Sequence, residues 1–225
     1  MNSFQTIWER AAARKGGDAA LEALMPAVRT ADELRAIPDD RWLAEMTKRI
    51  FQAGFNWTVI EKKWPGFEAA FEGFDVSRCA MMSDDDIDRL LKNKDIVRNA
   101  AKIASVRENA VFLSDLAREH GSAAAFFADW PVEDFAGLLD VLKKRGSRLS
   151  GTSGQYFLRF MGKDSFVLSR DVVAALVAEG AVDKSPSSAR ALRGVQTAFN
   201  EWAAESGRPL AHISRTLACS IDSPG

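Results

Sequence analysis

Apolar residues recur along this chain at three- and four-residue intervals, and no stretch alternates between apolar and polar positions for long. The pattern predicts helices throughout and no sheet. Over residues 39–55, Trp42, Leu43, Met46, Ile50, Phe51 and Ala53 share one face; Asp39 or Asp40 can cap its start and Gly54 can end it. Residues 57–63 predict a short helix stopped by a Trp64-Pro65-Gly66 turn, followed by an aromatic stripe of Phe67, Ala70, Phe71 and Phe74 expected in the core. Ser83 is a natural N-cap for a helix opened by Asp84, Asp85 and Asp86, whose charges suit the positive end of its dipole. The same triplet suggests a divalent cation, but the spacing of further oxygen ligands is missing.

Residues 95–120 read as one long helix, with Ile96, Val97, Ala100, Ile103, Ala104, Val106 and Ala110 facing inward and Arg98, Lys102 and Arg107 solvating the outer face. Further helices are predicted over residues 132–144, 152–161, 169–179, 189–206 and 210–220. The first 30 residues form an amphipathic preface, and there is no internal repeat. The expected organisation is an N-terminal helical extension over residues 1–38 and a main domain over 39–225, with a helical hairpin near 132–161.

With 225 residues, 47% of them hydrophobic, the chain can fill the core of one domain or two lobes. Its 30 basic and 31 acidic side chains leave a net charge of −1, so attraction to a polyanion must come from a local patch. Cys79 and Cys219 lie far apart and read as free thiols of a reducing compartment. Neither a secretory leader nor an apolar run of the roughly 20 residues that span a bilayer is present, so a cytoplasmic protein without membrane contact is expected.

Residues 142–157 hold the most suggestive chemistry. One helix ends in Lys143, Lys144 and Arg145, and another starts after a turn in which Gly151 and Gly154 flank Thr152 and Ser153. Small residues there let a phosphate approach the backbone N–H groups of the new helix, and Lys143, Lys144, Arg145 and Arg148 add positive charge. An ordinary helix–turn–helix with a basic C-terminus is the alternative reading. Downstream, Asp171 falls in the first turn of a helix, where a carboxylate is stabilised by the dipole whether or not it has a further role.

The segment Gln52-Ala-Gly-Phe-Asn-Trp-Thr-Val-Ile-Glu-Lys-Lys63 resembles the DNA-3-methyladenine glycosylase I family, which reads Gln-Ala-Gly-Leu-Ser-Trp and then Lys-Lys. So do Phe71-Glu-Gly-Phe-Asp75, Ile96-Val-Arg-Asn99, Lys102-Ile103, Asn109-Ala110, Leu142-Lys-Lys-Arg-Gly146, Gly151-Thr152 and Asp171-Val-Val173, in that order over residues 40–180. The resemblance implies an all-α, two-lobed helix-hairpin-helix DNA glycosylase fold. It also implies a monomeric base-excision repair enzyme, without cofactor, acting on double-stranded DNA that contains a damaged base. Such an enzyme flips a damaged, alkylated purine and hydrolyses its N-glycosidic bond. On this resemblance Trp57 would stack on the extruded base, with Gln52, Arg49 and Tyr156 around it. Arg148, Gly151, Thr152, Ser153, Gly154, Lys143 and Lys144 would hold the DNA backbone. Core packing is the alternative for Trp57.

Two departures stand out. Arg49 occupies the position of the family's base-recognising glutamate, and a cation repels a positively charged alkylpurine. The family's zinc ligands have no counterpart set, since only His120, His212, Cys79 and Cys219 are available, so no metal is expected. Asp171 is placed like the aspartate of the wider helix-hairpin-helix superfamily, where a carboxylate stabilises positive charge on the sugar and orients or deprotonates water. Lys163 is the nearest lysine but holds no evident nucleophile position, which favours hydrolysis by water over a Schiff base. A glycosylase and a non-catalytic DNA-binding or damage-sensing module both remain open, the second supported by Arg49. A helical protein–protein scaffold is a third reading.

Overall fold

Side-chain caps and glycines punctuate the chain into helices, and the computed structural model, which describes residues 1–222, contains no strand among them. In chain order the helices are α1 (Phe4–Lys15), α2 (Asp18–Glu22), α3 (Ala31–Arg35), α4 (Asp39–Gln52), α5 (Trp57–Ala70), α6 (Val76–Ala80) and α7 (Asp84–Lys92). Then come α8 (Ala100–His120), α9 (Ala123–Asp129), α10 (Phe135–Arg145), α11 (Thr152–Met161), α12 (Arg170–Ala178), α13 (Ala189–Ser206) and α14 (Leu210–Cys219). No helix among the described residues is long and apolar enough to cross a membrane.

Local chemistry explains most of these limits. Ser83 and Asp86 cap α7 reciprocally, each side chain accepting from the other's backbone N–H, so the acidic triplet opens a helix. The side chains of Asn99, Ser169 and Ser188 cap α8, α12 and α13 by accepting from a first-turn N–H, and Gly207 ends α13 in the left-handed conformation.

Three sequence expectations about where helices begin and end need correction. Pro65 does not end a helix: α5 runs through it to Ala70. Losing one helical hydrogen bond and straining the turn costs about 3 kcal/mol, and burial of the Ile60, Trp64 and Phe67 face offsets it. Trp64 stacks on Phe67 at 5.5 Å and on Phe74 at 5.4 Å. Gly66 is required there, because a Cβ would stand 2.5 Å from the carbonyl oxygen of Asp95. The long helix also begins later than its apolar spacing suggests, since Asn99 stops the backbone ladder by capping. Finally, neither Asp39 nor Asp40 caps α4; Pro38 is the N-cap residue, and the Asp39 carboxylate accepts instead from Ala123 and Ala124 at the start of α9.

The chain divides into two compact units. The first comprises residues 1–29, 130–140 and 162–225, and the second residues 30–129 and 141–161. In the second, Trp42 of α4 stacks on Phe127 of α9 at 4.6 Å and meets Phe157 of α11 edge-on at 5.8 Å. Phe51, Phe67, Phe71 and Phe74 form a neighbouring cluster. In the first unit, Phe166 lies between Phe135 and Phe199 at 4.8 and 4.6 Å.

Helices α1 and α2 belong to that first unit and α3 to the second. Helix α1 buries Phe4, Ile7, Trp8 and Ala11, packing on α13 and α14. Its start is tied down by Glu205, which accepts from the Phe4 N–H, and by the buried Glu179, which accepts from Asn2 and Arg10. An apolar stripe this continuous would expose too much surface if left uncovered.

Burial alone would push the Glu179 carboxyl up, but hydrogen bonds from Arg10 and Asn2 outweigh it and hold the group below its ordinary value of 4.5. A lowered folded-state value means that the contact stabilises fully above about 4.5 and fades as pH falls through the folded value. Glu179→Gln should therefore lose about 1–2 kcal/mol at pH 7, with the gap to wild type narrowing in urea unfolding below pH 4.

Candidate functional site

The second unit gathers several of the predicted site residues where the end of α4, the start of α5 and one face of α11 meet. Gly54 takes a positive φ of 67°, and the Asn56 side chain accepts from the Thr58 N–H at 2.9 Å, which starts α5 at Trp57. Lys102 reaches across from α8 and donates to the carbonyls of Phe51 (3.2 Å) and Ala53 (2.7 Å), taking up free acceptors at the end of α4. The expectation that it only solvates a helix face is corrected, as it is for Arg107, which donates to the Met82 carbonyl and to Asp84. Burial pulls the Lys102 amine below its ordinary value, and the charge of Arg148 adds to the effect.

Trp57 is 42% exposed, whereas the other five tryptophans are buried or half-buried. Core packing is therefore not its role. Its ring meets Tyr156 edge-on at 5.5 Å and Phe160 at 6.2 Å, and Phe160 is itself 50% exposed. A large aromatic surface is thus left in water beside α11, at a cost that packing alone would remove.

Arg49 lies behind these rings and is 6% exposed. Its Nε donates to Glu45 one turn earlier, Nη1 donates to Gln52 Oε1 at 2.6 Å, and the guanidinium carbon sits 3.7 Å from the centre of the Phe160 ring and 5.5 Å from that of Trp57. Gln52, also buried, passes the contact on by donating to Glu61 Oε1 at 3.1 Å, and Glu61 pairs with Lys48 at 2.7 Å. A buried guanidinium is tolerable here because an ion pair, a hydrogen bond and an aromatic face all compensate its desolvation.

The predicted turn spans the end of α10 and the start of α11. Asn109, fully buried on α8, clamps it by donating to the Ser147 carbonyl at 3.0 Å and accepting from the Ser147 N–H at 2.8 Å. Arg148 follows with a positive φ of 58° and donates to the Ala101 carbonyl. At Gly154 a Cβ would stand 2.3 Å from the Leu149 carbonyl oxygen, so any side chain there would push the turn open. Gly151 holds a φ of 61°. Lys143, Lys144 and Arg148 are exposed, Thr152 is exposed and Ser153 half-buried, while Arg145 is held by both carboxylate oxygens of Glu119. Asn109→Ala should cost about 2 kcal/mol by leaving both Ser147 groups without their partner, seen in urea unfolding and as faster exchange of the Ser147 amide.

Asp171 is half-buried in the first turn of α12, whose cap Ser169 accepts from Val172, and it belongs to the first unit. Lys163, in the same unit, is buried and donates to the Trp130 carbonyl at 2.6 Å. Burial pushes the Cys79 thiol up to about 12, with the charges of Asp75 and Glu72 adding to it, so the thiolate form is suppressed. His120 lies beside Glu119 and Phe126, and His212 hydrogen-bonds the Pro26 carbonyl. Among the described residues no three His, Cys, Asp or Glu side chains converge as a metal would need.

Several participants do not stand out in the sequence: Glu45, Lys48, Glu61, Phe160 and the clamp by Asn109. The four-residue spacings Glu45 to Arg49 and Tyr156 to Phe160 were visible signals. The pairing of Gln52 with Glu61 across a turn, and of Asn109 with Ser147, had none.

The methyladenine glycosylase family model matches residues 36–137, the stretch that holds α4, α5 and α8. Over that stretch the chain is similar to the methyladenine glycosylases. DNA-3-methyladenine glycosylase 1 of Escherichia coli is 36% identical over 85 residues, covering 33% of this chain and 46% of the relative. DNA-3-methyladenine glycosylase of Haemophilus influenzae is 36% identical over 59 residues, covering 26% of this chain and 32% of that protein. The chain thus spans less than half the length of these curated relatives. The structure of 3-methyladenine DNA glycosylase I from Staphylococcus aureus aligns with a TM-score of 0.50 and 24% identity over 56% of this chain and 77% of its own, a likeness of helical fold. The segment shared with the methyladenine glycosylases holds Arg49, Gln52, Trp57, Lys102 and Asn109. Residues 143–154 and Asp171 lie beyond it.

Proposed function

We propose that this chain is a DNA glycosylase of base excision repair, flipping a damaged base out of double-stranded DNA and hydrolysing its N-glycosidic bond. The observation that carries the reading is Trp57: a large ring held half in water, next to Tyr156 and Phe160, inside the segment shared with the methyladenine glycosylases. Such a ring offers an extruded base a stacking partner and recovers part of the unstacking cost. Residues 132–161 act as the DNA-binding hairpin. The first N–H groups of α11 lack helical partners and meet a phosphate near Gly151 and Gly154, while Lys143, Lys144 and Arg148 contact neighbouring phosphates. The overall charge of −1 makes this local patch the source of affinity.

Chemistry falls to Asp171. As the glycosidic bond breaks, electrons leave with the base and the sugar gains positive charge at C1′, which a carboxylate stabilises. Asp171 also orients the water that adds its oxygen to C1′ and takes up the proton it releases, which solvent then passes to the departing base when that base leaves as an anion. The Lys163 amine is buried against the Trp130 carbonyl, which supports water over a lysine nucleophile. No cofactor enters this scheme, and the protein works as a cytoplasmic monomer on double-stranded DNA that contains a damaged base.

Base release from duplexes carrying 3-methyladenine, 7-methylguanine or deaminated bases tests the proposal. Asp171→Asn should lower single-turnover release by about a hundredfold or more while duplex affinity stays within a factor of two. Reversing Lys143 and Lys144 to glutamate should weaken binding to every sequence alike and reduce the salt slope by about one for each phosphate no longer neutralised. Release unaffected by Asp171→Asn would remove the carboxylate from the mechanism. A second reading, a non-catalytic damage-sensing module, is favoured by Arg49 standing where the family has glutamate; it predicts duplex binding with no base released from any lesion.

A further inference from the structure

The shelf formed by Trp57 and Phe160 differs in charge from one built for a cationic base. Arg49 places a guanidinium 5.5 Å from the Trp57 ring centre. The two carboxylates nearby are already engaged, Glu45 by Arg49 itself and Glu61 by Lys48 and Gln52. Each is already paired with a cation of this chain. The Gln52 amide is likewise committed at both ends. Arg49 uses Nε and Nη1 for Glu45 and Gln52, so Nη2 remains the donor without a partner among the described residues. A flat ligand lying on Trp57 would find beside it one positive hydrogen-bond donor, Nη2 of Arg49.

We infer that Arg49 selects neutral bases bearing an exocyclic carbonyl, of which hypoxanthine is the simplest purine, and rejects N-alkylpurines that carry a positive charge. The inference rests on the reading that Trp57 receives a base, and it assigns the substrate class of that site. The carbonyl oxygen accepts from Nη2 while the ring stacks on Trp57; a cationic ring in the same place meets the like charge of the guanidinium at that donor.

Calorimetric titration of the full chain with neutral 9-methylhypoxanthine and with the permanently charged 3,9-dimethyladeninium tests this directly. The neutral ligand should bind at least about tenfold more tightly. Arg49→Gln should abolish that preference and Arg49→Lys should keep most of it, with circular dichroism confirming that each variant is folded. Tighter binding of the charged ligand, or a preference unchanged in Arg49→Gln, would overturn the assignment. Release from duplexes containing deoxyinosine or 3-methyladenine separates selectivity from catalysis. Binding of the neutral ligand without release of hypoxanthine overturns the glycosylase reading and leaves the selectivity of Arg49 standing. Preferential release of 3-methyladenine overturns the selectivity and leaves the glycosylase. Absence of both binding and release overturns both.

Discussion

Trp42 is fully enclosed, stacked on Phe127 and touched edge-on by Phe157, and through these rings α4 is held against α9 and α11. Replacing so large a buried side chain by alanine typically costs about 3–5 kcal/mol. The position of α4 governs much else. Its last turns carry Glu45, Arg49 and Gln52, its end delivers the chain to Trp57, and α11 carries Tyr156 and Phe160 on the same helix as Phe157. A shift of α4 along α11 would part Arg49 from Phe160.

The second organising feature is a buried positive charge. A guanidinium taken from water is expensive unless charge, hydrogen bonding and packing all compensate it. Arg49 receives Glu45, Gln52 and the Phe160 face, and the pairing of Glu61 with Lys48 completes the row. The arrangement is an alternating string of charges and one amide, so its members constrain one another's rotamers. Trp57 and Phe160 remain partly exposed at its edge, and that combination of a rigid polar string and open aromatic surface is what makes a recognition role physically reasonable.

The turn between α10 and α11 follows a different logic. No regular hydrogen-bond ladder crosses it, so a buried side chain, Asn109, supplies both the donor and the acceptor that the Ser147 backbone needs. Glycine at 154 admits the close approach of the Leu149 carbonyl. Arg145 is drawn into its pair with Glu119, while Lys143 and Arg148 stay at the surface. A chain with almost no net charge thereby keeps a small positive surface.

The sequence by itself determined the helical class, and the spans of α11 and α13 agree with its pattern to the residue. It also determined the cap at Ser83, because apolar periodicity and capping act within a few residues and leave local marks. It marked Trp57, Arg49 and the glycine turn through motif order. Only the tertiary structure decided that α5 passes through Pro65, since burial across the aromatic cluster outweighed a local penalty. It alone joined α1 to the C-terminal helices, gave Lys102 the carbonyls of the α4 end, and left Trp57 exposed while five other tryptophans were covered to a greater degree. Those outcomes depend on which faces meet over long sequence separations, and composition and spacing carry no record of them.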